Sequence, residues 1–129
     1  MEILASRMLL RPADYPTSLA FYRDRLGLAI AREYPGGAVF FAGQSLIELA
    51  GHGRTDAALG PFAGALWLQV RDVYAAQDQL RERGVQIARE ARQEPWTLHE
   101  MHVLDPDSVT LIFVQVPETH PLRRAAPLS

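Results

Sequence analysis

A chain of 129 residues with 48% hydrophobic and 22% charged residues has the make-up of one folded domain with a sizeable core. Its formal charge of −2 offers no basic field to nucleic acid, no apolar run approaches the roughly 20 residues of a membrane-spanning helix, and the start lacks the charged, apolar and small-residue regions of a secretory leader. Zero cysteines exclude a disulfide framework and thiol catalysis, and fit a cytoplasmic protein.

Residues 3–11 read as the first strand. Asp14 is placed to cap a helix that tolerates Pro16 in its first turn. Leu19, Tyr22 and Leu26 recur at i, i+3, i+7 as a core-facing stripe with Phe21 beside it, and Gly27 ends the helix. Residues 28–34 form a strand, Pro35-Gly36-Gly37 a turn, and 38–42 with 44–50 a hairpin broken at Gly43. Residues 51–63 contain glycine and no clear periodicity. The pattern then restarts: a strand at 65–70, a helix capped by Asp72 with Val73, Ala76 and Leu80 inward, a stop at Gly84, and a strand at 85–91. A connection at 92–98 leads to a last hairpin, 99–104 and 109–116. Its turn, Asp105-Pro106-Asp107-Ser108, joins a preset φ at proline to side chains that bond locally to backbone.

The two halves repeat. Asp14 and Asp72 lie 58 positions apart, and Gly27 and Gly84 lie 57 apart, so cap and stop recur almost in register. The expected fold is α+β: one domain, 1–116, of two tandem βαβββ repeats at about 1–52 and 64–116, linked by 53–63, with a surface tail at 117–129. One such unit cannot cover its own sheet. Two packed together form a curved mixed β-sheet cleft with the helices outside.

Three stretches carry a family resemblance. Asp14-Tyr15-Pro16-Thr17-Ser18-Leu19-Ala20-Phe21-Tyr22 through Leu26-Gly27-Leu28 resembles the signature D-L-x-x-S-x-x-F-Y-x-x-x-L-G-F. Val70-Arg71-Asp72-Val73 resembles a V-D-D-V before the second helix. Trp96 to Phe113 resembles W-G-x-R-x-F-x-V-x-D-P-D-G-N-x-I-E, with Thr97, His99 and Ser108 at the Gly, Arg and Gly positions. Together they resemble the vicinal oxygen chelate superfamily of glyoxalase I, extradiol dioxygenases, fosfomycin-resistance enzymes and bleomycin-resistance proteins, and look most like the bleomycin-resistance branch. The resemblance implies a homodimer. It also implies a divalent metal held by His or Gln, Glu, His and Glu from the first and fourth strands of each repeat. Those four positions here are Arg7, Glu48, Ala65 and Ile112. Arginine repels a cation, and alanine and isoleucine offer no donor, whereas a catalytic transition metal needs about three protein ligands.

The expected site is therefore metal-free and without a cofactor. Arg7 is placed to compensate Glu48, as a structural ion pair or as a polar anchor for ligand. Strand parity puts Leu9, Trp67, Ile112 and Val114 on the same face as the old ligand positions, with Gln69 and Thr110 as polar points and Phe62 and Trp96 at a rim. His99 is a further candidate contact. It and His102 point to opposite faces of their strand and cannot chelate together, while Glu100 and His102 share a face. Apolar walls with few polar groups describe a small-molecule pocket. The expected partner is a small hydrophobic or aromatic compound, an antibiotic among the candidates, sequestered at the junction of repeats or protomers. The alternative is a divergent glyoxalase-like lyase, isomerase or dioxygenase, metal-dependent or using Glu48 as general base.

Overall fold

The computed structural model describes residues 1–52 and 62–124. Most of the expected linker, 53–61, and the end of the tail, 125–129, lie outside the described residues. The chain forms two compact units, residues 1–64 with the turn 105–109, and residues 65–104 with 110–129. Each is built on a four-stranded mixed sheet, and the class is α+β.

In the first unit, β1 (Met8–Leu10), β2 (Ile30–Tyr34), β3 (Gly37–Ala42) and β4 (Ser45–Ala50) lie in the order β1-β4-β3-β2. β1 runs parallel to β4, and the other pairs are antiparallel. The first strand is shorter than the sequence suggests. Only Met8, Leu9 and Leu10 find ladder partners, Ile47, Glu48 and Leu49, and the preceding Ile3 and Leu4 stay exposed. α1 (Tyr15–Ala20) continues into a π-helical turn, Phe21–Arg25, closed by the Leu26 amide on the Phe21 carbonyl at 2.9 Å.

That widened turn changes the inward stripe. The buried positions are Ser18, Phe21 and Tyr22, while Leu19 and Leu26, expected in the core, are only half-buried. Tyr22 packs edge-on to Phe21 and tilted against Phe40, so Phe40 and its partner Ile47 mark the helix side of this sheet. The turn 105–109 completes the unit. Asp105 accepts from the buried Tyr22 hydroxyl at 2.8 Å and from the amides of Asp107 and Val109, each at 2.8 Å. Asp107 accepts from the Ala13 amide at 3.0 Å and the Ser18 hydroxyl at 3.3 Å. Burial pushes both the Asp105 carboxyl and the Tyr22 hydroxyl above their ordinary values.

The second unit repeats the order: β5 (Ala65–Val70), β6 (Ile87–Gln93), β7 (His99–Leu104) and β8 (Thr110–Gln115) lie as β5-β8-β7-β6. α2 (Val73–Glu82) is capped as expected, Asp72 Oδ1 accepting from the Tyr74 and Ala75 amides at 3.0 and 3.1 Å. Val73 and Leu80 point inward. Gln77 is buried where Ala76 was expected, because its Oε1 accepts the Ala91 amide at 2.6 Å. Leu66, Met101, Val103, Leu111 and Phe113 form the core under α2. On the other face Leu98, Val114 and Val116 cluster, with Ile112 against them. A short helix α3 (Pro121–Arg124) follows.

Candidate functional site

Register fixes which side chains share the helix-free face of the first sheet. Leu9 pairs with Glu48, Glu48 with Val39, and Val39 with Arg32, one row across four strands. Phe41 pairs with Leu46 in the next row. Arg7, just before β1, donates from Nη1 to Glu48 Oε1 at 2.9 Å. Glu48 Oε2 accepts the Tyr34 hydroxyl. Both carboxylate oxygens are thus engaged, and the Glu48 side chain is only 16% exposed against 41% for Arg7. The Tyr34 hydrogen bond first, then Arg7 with Arg32, holds the Glu48 carboxyl below its ordinary value, and the same bond raises the Tyr34 hydroxyl. The Arg32 guanidinium covers the Tyr34 ring at 5.2 Å, and His52 meets the ring edge-on at 6.2 Å.

Tyr34 reaches Glu48 only because Gly37 has no side chain. The Tyr34 ring lies where a Gly37 Cβ would be, so any larger residue would collide with it. Tyr34 and Arg32 were not singled out from sequence. The available signal was the second glycine of Pro35-Gly36-Gly37: Gly36 alone supplies the positive φ, +83°, that the turn needs, whereas Gly37 adopts an ordinary strand conformation.

Leu9 and Phe62 also line a cavity of about 140 Å³ in this unit, together with Leu10, Leu49, Asp105 and Val109. Leu9 and Phe62 are each 42% exposed at its margin.

In the second unit Trp67 pairs with Ile112, Gln69 with Val114 and Ala65 with Thr110, so these residues share one face. Trp67 is 48% exposed on it. His102 and Arg89 extend the Trp67–Ile112 row, and Arg89 Nη2 lies 3.3 Å from His102 Nε2. Burial, then the Arg89 charge, lowers the His102 pKa. Arg89 also pairs with the buried Glu94, which that contact holds below its ordinary range. Trp96 Nε1 donates to Glu100 Oε2 at 2.7 Å, fixing an indole that is otherwise exposed. His99 lies on the opposite, helix side, where Nδ1 is 2.7 Å from the Tyr74 hydroxyl and the rings meet edge-on. The structure therefore joins Arg7 to Glu48 and Trp67 to Ile112, and separates His99 from the face that carries Trp67.

The residues at the four family ligand positions do not fit a metal. Glu48 is closed by two donors, Arg7 is a cation, and Ala65 and Ile112 carry no donor atom. Among the described residues no group of three or more His, Asp or Glu side chains is gathered as metal ligands would be. No helix among them is long and apolar enough to cross a membrane.

Comparison with known proteins agrees with this architecture. The model of the Glyoxalase/Bleomycin resistance protein/Dioxygenase superfamily matches residues 5–113. A probable lactoylglutathione lyase of Synechocystis is 32% identical over 119 residues, covering 83% of this chain and 91% of that protein. Bacillus subtilis YraH, an uncharacterized protein, is 31% identical over 123 residues, covering 83% and 92%. A Nocardioides crystal structure from the superfamily superposes with a TM-score of 0.73 at 17% identity, covering 100% of this chain and 91% of that one. A bleomycin-binding protein complexed with bleomycin gives 0.67 at 23% identity, covering 87% and 98%. With its family model spanning both repeats and its strand order repeated in each, the chain belongs to the glyoxalase/bleomycin resistance protein/dioxygenase superfamily.

Proposed function

We propose that this chain is a small-molecule binding protein that holds an apolar or aromatic compound without a metal. One observation carries the reading: the only carboxylate at a family ligand position, Glu48, has both oxygens bonded, to Arg7 and to Tyr34. Exposed apolar side chains support it, Leu9 and Phe41 on the first sheet and Trp67 on the second. Leu9 and Phe41 share the helix-free face of the first sheet, and Trp67 shares a face of the second with Ile112. The neighbour complexed with bleomycin binds a small molecule on the same scaffold, so an antibiotic belongs among the ligands to be tried. In this reading the chain works as a homodimer, which a monomer mass in sedimentation would refute.

The test is a ligand screen on metal-free protein, prepared with EDTA and checked by metal analysis, read by tryptophan fluorescence. Saturable binding that survives EDTA is expected. A transition metal at one per chain that EDTA removes together with binding would overturn the reading.

An enzymatic reading has one observation in its favour, the lactoylglutathione lyase names of relatives 30–32% identical. Glu48 would be its general base. A carboxylate held below its ordinary range by two donors is a poor proton acceptor at neutral pH. Formation of lactoylglutathione by the EDTA-treated protein would favour the enzyme.

A further inference from the structure

We propose that the first sheet recognises its ligand by an acidic group: a carboxylate seated between Arg7 and Arg32, with the ligand's apolar body over Leu9 and Phe41. This rests on the binding reading above and names the ligand's chemical class.

The argument begins with charge. Arg32 stands in the same row as Glu48, and Arg7 reaches Glu48 from just before β1, so two guanidinium groups accompany one carboxylate, a net charge of +1 among these three side chains. Glu48 neutralises one of the two cations, and both of its oxygens are occupied. The Arg32 side chain makes no hydrogen bond or ion pair among the described residues; its guanidinium lies over the Tyr34 ring at 5.2 Å and its charge acts on Glu48 from there. Arg7 presents five N–H donors and directs one nitrogen to Glu48, leaving the rest of its fork on an exposed side chain. A guanidinium meets a carboxylate with two parallel, charge-assisted N–H···O bonds, stronger than those to a neutral acceptor.

The second step is rigidity. Tyr34 is held at both ends, its hydroxyl on Glu48 and its ring under Arg32, above the bare backbone of Gly37. Arg32 is exposed, and its guanidinium lies over that fixed ring, a contact that favours one placement of the side chain before an anion binds. The third step is the neighbourhood. Leu9 is 42% and Phe41 52% exposed on the same face. A cationic ligand would be repelled by the Arg32 guanidinium, which has no carboxylate of its own, and a neutral polar one would leave that charge unmatched. An acid with an aromatic or aliphatic body satisfies the charge and covers the apolar surface.

The experiment compares 1-naphthoate with 1-naphthamide, which share a ring system and differ in the charge of the head group. Affinities are measured by calorimetry at low and high salt, in the native chain and in Arg32→Gln, with the melting temperature of each protein recorded. Naphthoate is expected to bind at least tenfold more tightly than naphthamide at low salt. That preference should shrink in high salt, and in Arg32→Gln naphthoate should fall to the naphthamide value. Equal binding of the two probes, or a loss in Arg32→Gln that is the same for both, overturns the acid preference and leaves small-molecule binding standing. Binding of neither probe counts against the binding reading and takes this inference with it. Because the exposed Arg32 side chain makes no hydrogen bond or ion pair among the described residues, Arg32→Gln should melt close to the native chain. Should it unfold, Arg32→Lys, which keeps the charge and loses the fork, must retain a reduced preference for the acid, or the proposal fails.

Discussion

Replacing Gly37 with alanine should unseat Tyr34 without touching Glu48 or Arg7. Alanine is compatible with the local backbone, because Gly37 sits in β3 without a positive φ. The added Cβ would lie within 3.0 Å of the Tyr34 ring and its hydroxyl oxygen, so the ring must swing away and its bond to Glu48 must break. A hydrogen bond to a charged acceptor contributes about 1.5–3 kcal/mol, taken at the low end here because Arg7 remains on the other oxygen. Alanine in a strand offsets about 0.5–1 kcal/mol of that by restricting the unfolded chain. The net cost of Gly37→Ala is then about 0.5–1 kcal/mol. In a Tyr34→Ala background there is no ring to displace, and the same change should stabilise by about 0.5–1 kcal/mol. The coupling, about 1.5 kcal/mol, is read from urea denaturation of the four proteins in a double-mutant cycle. A cost for Gly37→Ala that is unchanged when Tyr34 is alanine would show that the glycine serves the backbone and not the ring.

Three further outcomes follow from other contacts. Ser108 sits at φ 64° in the β7–β8 turn, a conformation that costs an L-residue roughly 1–2 kcal/mol, so Ser108→Gly should raise stability by about 0.5–1 kcal/mol after the entropy of glycine is deducted; an unchanged denaturation midpoint would refute it. The Glu48 carboxyl is held below its ordinary value, so its contribution is complete above the unfolded value of about 4.3 and fades as pH falls through the lower folded value. The stability gap between the native chain and Glu48→Gln should accordingly be flat from neutral pH to about 5 and close only in stronger acid. Tyr22→Phe removes the hydroxyl from buried Asp105 and should cost about 1–3 kcal/mol at neutral pH. Burial raises the Asp105 pKa, so acid that protonates it relieves the penalty, and the Tyr22→Phe deficit in denaturation experiments should narrow as pH falls.

Those contacts also mark where sequence reading stops. Elements punctuated by local chemistry were legible. β5 and β7 match their expected bounds, Asp72 caps α2 through its own side chain, and Gly27 and Gly84 take the positive φ that a helix stop needs. The Arg7–Glu48 pair was legible too, because the family resemblance puts both at ligand positions of neighbouring strands, and the two side chains do pair although Arg7 lies just before β1. What escaped depends on distance across the fold. A 3.6-residue period picked Leu19, Tyr22 and Leu26 as core with Phe21 beside them; Tyr22 and Phe21 are buried, but with the π-turn Ser18 joins them while Leu19 and Leu26 stay half-buried, and Asp105 and Asp107 receive the two hydroxyls. Asp105 and Asp107 read locally as turn formers, and they are, yet the same carboxylates tie down residues more than eighty positions earlier. His99 has the right residue type for a ligand contact, but one step of strand parity turns it toward Tyr74.

Charge arithmetic within each unit explains why the substitutions at the family ligand positions belong together. In the metal-binding pattern each repeat presents one neutral residue and one glutamate, and so one negative charge, to a divalent cation. A unit that kept this charge without the cation would hold a half-buried carboxylate with nothing to balance it, at a desolvation cost of several kcal/mol. Each unit here has reached neutrality by a different route. The second has dropped the acid, with Ile112 where the glutamate would be and Ala65 opposite Thr110. The first has kept Glu48 and put a cation, Arg7, in the place of the neutral ligand. The route taken in the first unit retains directional chemistry, because a guanidinium still presents N–H groups to oxygen atoms where a metal would have presented empty orbitals. A scaffold shaped to grip paired oxygens can then go on recognising them through hydrogen bonds. Arg32, drawn in over Tyr34, is the extra positive charge that a neutral pair alone would not need.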